Sequence, residues 1–107
     1  MSPHVFYILL SLADRPRHGY GILLDVEDRT GGALVLGTGT VYSAIKRLRE
    51  AGWLEETEAP QGSDDDPRRR HYQLTQVGRE ALREEAERLQ AMVRHARARA
   101  VLPEASS

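Results

Sequence analysis

The last third of the 107-residue chain carries an apolar stripe too long for the rest of the molecule to cover. Leu82, Ala86, Leu89, Val93, Ala96 and Ala100 are separated by 4, 3, 4, 3 and 4 residues, the spacing of a coiled-coil seam. Thr75 is a suitable helix cap, and Pro103, Ser106 and Ser107 mark a loose tail. The helix between them, ending near Leu102, spans about 28 residues and some 40 Å at 1.5 Å per residue. A stripe of this kind ordinarily covers the protein's own core, but a helix this long outreaches a single small domain. Its far end requires a partner, and a dimer supplies the buried surface that a short chain lacks.

Upstream of that helix the pattern is broken into shorter pieces. Val5, Ile8, Leu9 and Leu12 lie on one face of a helix over residues 3–13, which Pro16 separates from the next element. A second helix over residues 18–28 turns Ile22, Leu23 and Val26 inward, and Gly19 and Gly21 leave a thin surface for another helix to approach. Thr30, Gly31 and Gly32 end it. The run Ala33, Leu34, Val35, Leu36 is a short strand or a packed connector, and periodicity does not decide which. A third helix starts at Thr38, capped by Gly37 or Thr38, buries Val41, Ala44, Ile45 and Leu48, and stops at Gly52. Residues 53–57 and 68–74 read as two strands joined by a polar loop over residues 58–67.

Three helices, a hairpin and a fourth helix make a mainly α protein with a small β-hairpin, the order of a winged helix-turn-helix with a long C-terminal dimerisation helix. Residues 1–74 form the winged module, 75–102 the dimerisation helix and 103–107 a flexible tail. The seam residues are the dimerisation candidates. In a winged module the third helix enters the major groove of double-stranded DNA. At 100° per residue, Gly39, Ser43, Lys46 and Glu50 face outward, Tyr42 and Arg49 stand on one flank, and Thr40 and Arg47 on the other. Gly39 and Ser43 keep that face slim. Lys46 reaches a guanine edge or a phosphate, while Thr40, Tyr42 and Arg47 are placed for phosphates. An ordinary solvated surface of mixed charge is the competing interpretation of the Lys46–Arg49 run.

Charge agrees only when its distribution is considered. Fifteen basic and 16 acidic residues give a net charge of −1, which argues against indiscriminate nucleic-acid binding. Yet Lys46, Arg47 and Arg49 cluster, and Arg68, Arg69 and Arg70 follow Asp64, Asp65 and Asp66. The acidic run sets the wing tip away from phosphate and is able to pair with the arginines behind it. With no cysteine there is neither a disulfide nor a thiolate metal site, and His4, His18, His71 and His95 have no metal-ligand spacing. No phosphate-binding glycine loop or nucleophile motif is present, so the sequence reads as non-enzymatic and without cofactor or metal. Lacking an apolar run of membrane length or a secretory leader, it reads as cytoplasmic.

The fragments His18-Gly19-Tyr20-Gly21-Ile22, Gly39-Thr40-Val41-Tyr42, Lys46-Arg47-Leu48, Ala51-Gly52-Trp53-Leu54 and Tyr72-Gln73-Leu74-Thr75-Gln76-Val77-Gly78-Arg79 together resemble the PadR family of bacterial transcriptional regulators, over about residues 3–90. The resemblance implies a homodimeric repressor that binds an inverted-repeat operator and is often released by a small molecule, in the short branch where one long helix dimerises the protein. It places Gly39, Thr40 and Tyr42 on the recognition motif, Lys46 and Arg47 on its basic continuation, and Arg69 and Arg70 on the second wing strand. Tyr20 and Tyr72 also match, and both read as core residues with satisfied hydroxyls. Relatives that sandwich flat ligands between tryptophans of the dimer helices are a poor guide, because Trp53, the chain's sole tryptophan, stands at the start of the wing.

An effector, if one exists, is expected where the first helix meets the last, lined by Val5, Leu9, Leu12, Leu89, Met92 and Val93, with Met92 adapting to ligand shape. The alternative function is a winged-helix protein-interaction module that does not bind DNA.

Overall fold

The computed structural model describes residues 1–62, 66 and 68–103. Its elements are α1 (Pro3–Ser11), β1 (Arg17–His18), α2 (Gly19–Arg29), α3 (Thr38–Glu50), β2 (Leu54–Thr57), β3 (His71–Leu74) and α4 (Gln76–Ala98). The expected order of helices and hairpin is present, with four helices and a small antiparallel sheet.

Three of the four helices begin at a side chain that satisfies an orphan amide. The Ser2 hydroxyl accepts from the Val5 amide at 3.2 Å, and Pro3 occupies the first turn, where a missing N–H costs nothing. His18 caps α2, its Nδ1 accepting from the Gly21 amide at 3.0 Å. Thr75 caps α4 by accepting from the Gly78 amide at 3.0 Å, and its hydroxyl donates to the Gly52 carbonyl at 2.6 Å. One threonine thus fixes the start of α4 to the end of α3. At α3 the cap position is Gly37, without a side-chain hydrogen bond.

The helix stops rest on glycines in the left-handed region. Gly31 and Gly32 have φ of 61° and 83°, and the Gly32 amide returns to the Glu27 carbonyl at 2.8 Å. Gly52, with φ 79°, lets the Trp53 amide reach back to the Leu48 carbonyl at 2.9 Å. The run over residues 33–36 is a packed connector and not a strand. Thr30 stitches it down, donating to the Val26 carbonyl at 2.8 Å and accepting from the Leu34 amide at 3.1 Å, and Leu36 is buried.

The sheet has a third strand that the sequence does not announce. β3 is central, flanked by β2 with Leu54 opposite Leu74 and by β1 with Arg17 opposite Tyr72 and His18 opposite His71. At two residues, β1 is too short for any period to register. The second wing strand is correspondingly shorter than expected, beginning at His71.

Ile8, Leu9 and Leu12 from the α1 region pack with Ile22 and Val26 of α2 and Val41, Ala44, Ile45 and Leu48 of α3. The inward stripe expected of α3 is the buried stripe. Each large aliphatic side chain so enclosed stabilises the fold by roughly 1.5 to 3 kcal/mol.

α4 is shorter than its heptad pattern suggested. It runs for 23 residues, about 35 Å, and ends where Ala100 enters the left-handed region at φ 60° and the Val101 amide bonds to the Ala96 carbonyl at 2.9 Å. That conformation costs a non-glycine residue roughly 1 to 2 kcal/mol. The helix gives the described residues their long dimension, 51 Å against 28 and 27 Å. Its stripe divides in two. Leu82 is sealed by the protomer's own core, contrary to its place in the expected seam, whereas Leu89 and Ala96 are half-buried and Ala86, Val93 and Ala100 exposed. Most of the tail, residues 104–107, lies outside the described residues.

Candidate nucleic-acid interface

The outward side of α3 carries Gly39, Thr40, Tyr42, Ser43, Lys46 and Arg47, all exposed, because Val41, Ala44, Ile45 and Leu48 anchor the opposite side. The two flanks differ. Tyr42, Lys46 and Arg49 share a groove of about 510 Å³ with Glu56 and Tyr72 of the wing strands. Arg47 points to the other side, where it lines a groove of about 610 Å³ with Val5, Leu48, Ala51, Trp53 and Ala81. Among the described residues neither Lys46 nor Arg47 has an ion-pair partner, so both cations are available to an anion.

Tyr42 is held from below. A methyl group at Gly19 would stand 2.6 Å from the tip of its ring, so the absence of a side chain there is what lets the tyrosine lie against the start of α2. The thin surface expected at Gly19 therefore admits a side chain of the recognition helix. Gly78, at the start of α4, sits against the Trp53 carbonyl so closely that no Cβ fits.

The three consecutive arginines of the wing have three different environments. Arg68 forms a two-pronged pair with Asp66 at 2.9 and 3.2 Å, which holds the Asp66 carboxyl below the usual carboxylate range. Arg70 pairs with Glu56 at 3.3 Å, and the same carboxylate stands 3.8 Å from Arg49. Arg69 lies over the Tyr20 ring at 5.6 Å, with its Nη1 3.2 Å from His18 Nε2. Carboxylate masking of the wing arginines was expected from the acidic run; Asp66 does pair with Arg68, but Arg70 is held by Glu56 on the neighbouring strand. Only the sheet register brings those two together. Asp64 and Asp65 lie outside the described residues.

Tyr72 is buried, as expected of a core residue, and Arg49 lies 5.8 Å over its ring. Tyr20 is not a core residue: it is 45% exposed, since Ile22 and Val26 take the inward positions of α2. His18 and His71 are both buried, with their rings edge to face at 5.2 Å. Among the described residues no group of three or more histidines, cysteines or carboxylates is arranged to hold a metal.

The expected effector lining is not assembled in one place. Leu9 and Leu12 are fully enclosed by the core and cannot line a pocket without opening it, whereas Met92 and Val93 are exposed on the outer side of α4. Val5 does line a cavity, the α1–α3–α4 groove, together with Trp53, which the sequence placed only at the wing. Ala51, at the α3 stop, lines the same groove.

The described geometry agrees with comparison to known proteins. Residues 8–84 match the model of the transcriptional regulator PadR-like family. The chain belongs to that family. The family is one of transcriptional regulators. Over 79 residues it is 37% identical to an uncharacterized 37.1 kDa protein of a Streptomyces fradiae transposon, a match covering 74% of this chain and 21% of that protein. The chain thus spans about a fifth of the length of that curated relative. Among solved structures, a transcriptional regulator from Clostridium thermocellum is 21% identical, with a TM-score of 0.71 over 94% of this chain and 92% of that one. Bacillus subtilis PadR, solved in complex with operator DNA, is also 21% identical, with a TM-score of 0.66 over 79% of this chain and 47% of that one. These two likenesses establish the winged-helix fold. No helix among the described residues is long and apolar enough to cross a membrane.

Proposed function

We propose that this PadR-like protein is a cytoplasmic, sequence-specific DNA-binding regulator that acts as a homodimer, represses transcription from an inverted-repeat operator and is released by a small-molecule effector. The observation that carries DNA binding is the outward side of α3, where Lys46 and Arg47 stand without carboxylate partners among the described residues on a slim face made by Gly39 and Ser43. Thr40 and Tyr42 flank that face, and Arg69 and Arg70 approach from the wing. The operator complex of Bacillus subtilis PadR supports the reading by likeness of fold. Dimerisation is supported by apolar surface along distal α4, where Leu89, Val93 and Ala96 continue past the point at which the core stops at Leu82. An effector site is supported by the α1–α3–α4 groove, whose walls include Arg47. A ligand that prefers the arrangement with the two recognition helices out of register with DNA would release the operator.

Selection of duplexes from a randomised pool tests the reading. The wild-type protein enriches a two-fold symmetric site with half-sites about one helical turn, roughly 34 to 36 Å, apart. Lys46→Ala and Ser43→Ala change the base preference, and Arg47→Ala lowers affinity for all sequences alike. Failure to enrich any sequence defeats the proposal in favour of a winged module that binds protein.

A further inference from the structure

Of the three wing arginines, Arg69 is the one that lies over an aromatic ring with no carboxylate at ion-pair distance among the described residues. Arg68 and Arg70 each have one. Its guanidinium lies 5.6 Å above the Tyr20 ring and meets the His18 ring at 3.2 Å. A carboxylate partner cancels an arginine's charge and must be displaced before phosphate binds. The face of an aromatic ring attracts the same cation through its quadrupole and leaves the N–H edge and the net charge outward.

The ring is placed for this task. Tyr20 is the second residue of α2 and is 45% exposed, and its neighbour Gly19 is the residue on which Tyr42 of α3 rests. The segment leading into β3, the start of α2 and the recognition helix are therefore joined in one line of contact, Arg69 to Tyr20, then Gly19 to Tyr42. We infer that Tyr20 is a positioning residue for DNA binding, a platform that presents Arg69 of the wing to a phosphate in fixed relation to the recognition helix. This rests on the reading above, in which Arg69 faces DNA. Tyr20 acts through the arginine and does not itself touch DNA. Its hydroxyl is dispensable and its ring is not.

The test is a double-mutant cycle on affinity for a duplex selected by the wild-type protein, measured by fluorescence anisotropy. Tyr20→Leu weakens binding about tenfold for a two-half-site duplex, 1.4 kcal/mol at that ratio. Tyr20→Phe keeps wild-type affinity. In the Arg69→Ala background Tyr20→Leu has no further effect. Tyr20→Trp, whose ring binds cations best, binds at least as tightly as wild type and serves where the leucine variant folds poorly. Wild-type affinity in Tyr20→Leu, with Arg69→Ala weakened, overturns the platform, as does an undiminished Tyr20→Leu effect in the Arg69→Ala background. An unchanged Arg69→Ala removes the arginine from the interface and so overturns the reading on which the platform rests.

Discussion

Gly19 leaves no room for a side chain beneath the ring of Tyr42, since a Cβ at position 19 would lie 2.6 Å from it. The obstructing atoms are the far end of a side chain, which swings aside at little cost. Alanine at position 19 also improves the helix propensity of α2, by up to about 1 kcal/mol. Gly19→Ala should therefore leave the melting temperature within a few degrees of wild type while lowering DNA affinity several-fold, because Tyr42 is displaced. Gly78→Ala meets the Trp53 backbone, which cannot swing. It should destabilise the protein by about 2 kcal/mol or more, a fall of roughly 8 to 16 °C by thermal denaturation.

Glu56 holds Arg70 at 3.3 Å and stands 3.8 Å from Arg49, beside the face that meets phosphate. Glu56→Gln should raise DNA affinity about two- to fivefold and steepen its dependence on salt, since two cations are released from an exposed carboxylate whose pairs are individually weak. A titration at two salt concentrations checks both effects.

Glu85 is buried on α4 and bound in two-pronged fashion by Arg88 at 2.6 and 2.8 Å, which keeps its carboxyl below the usual glutamate range. A carboxyl depressed in the folded state contributes stability that is fully present above its unfolded value of about 4.3 and is lost as pH falls through the folded value. The melting temperature should thus be flat from pH 7 to about pH 5 and decline below about pH 4. Glu85→Gln should melt lower than wild type at pH 7, and the gap should narrow in acid. Differential scanning fluorimetry across that range gives the comparison.

Leu89 lies midway along the apolar strip of α4 and is half-buried in the protomer. Leu89→Asp should produce monomers or misfolded protein, because a shared surface would then enclose an unpaired carboxylate. Sedimentation velocity distinguishes these outcomes from a stable dimer, which would exclude the strip as the dimer seam.

Much of this architecture was legible in the chain. The stripe Val41, Ala44, Ile45 and Leu48 sets the outward side of α3, because a 3.6-residue period leaves little choice of face. Glycines at 31, 32 and 52 marked the helix stops for the same local reason. What depended on distant residues was hidden. Glu56 meets Arg70 through strand register, Tyr20 meets Arg69 through the approach of the wing to α2, and β1 exists only because β3 offers it an edge. Heptad spacing could not show that Leu82 belongs to the core, since one stripe serves both the protomer and a partner. Tyr20, expected in the core, lies outside because Ile22 and Val26 fill the inward positions of α2.

The most direct measurement is the affinity of the protein for its selected duplex and for a scrambled duplex of equal length, as a function of salt. A regulator that reads sequence through the α3 face should bind the selected duplex at least about a thousandfold more tightly at physiological salt, and both affinities should fall linearly with salt on logarithmic axes. Equal affinity for the two duplexes, or affinity indifferent to salt, would contradict sequence recognition by Lys46, Arg47 and the outward side of α3.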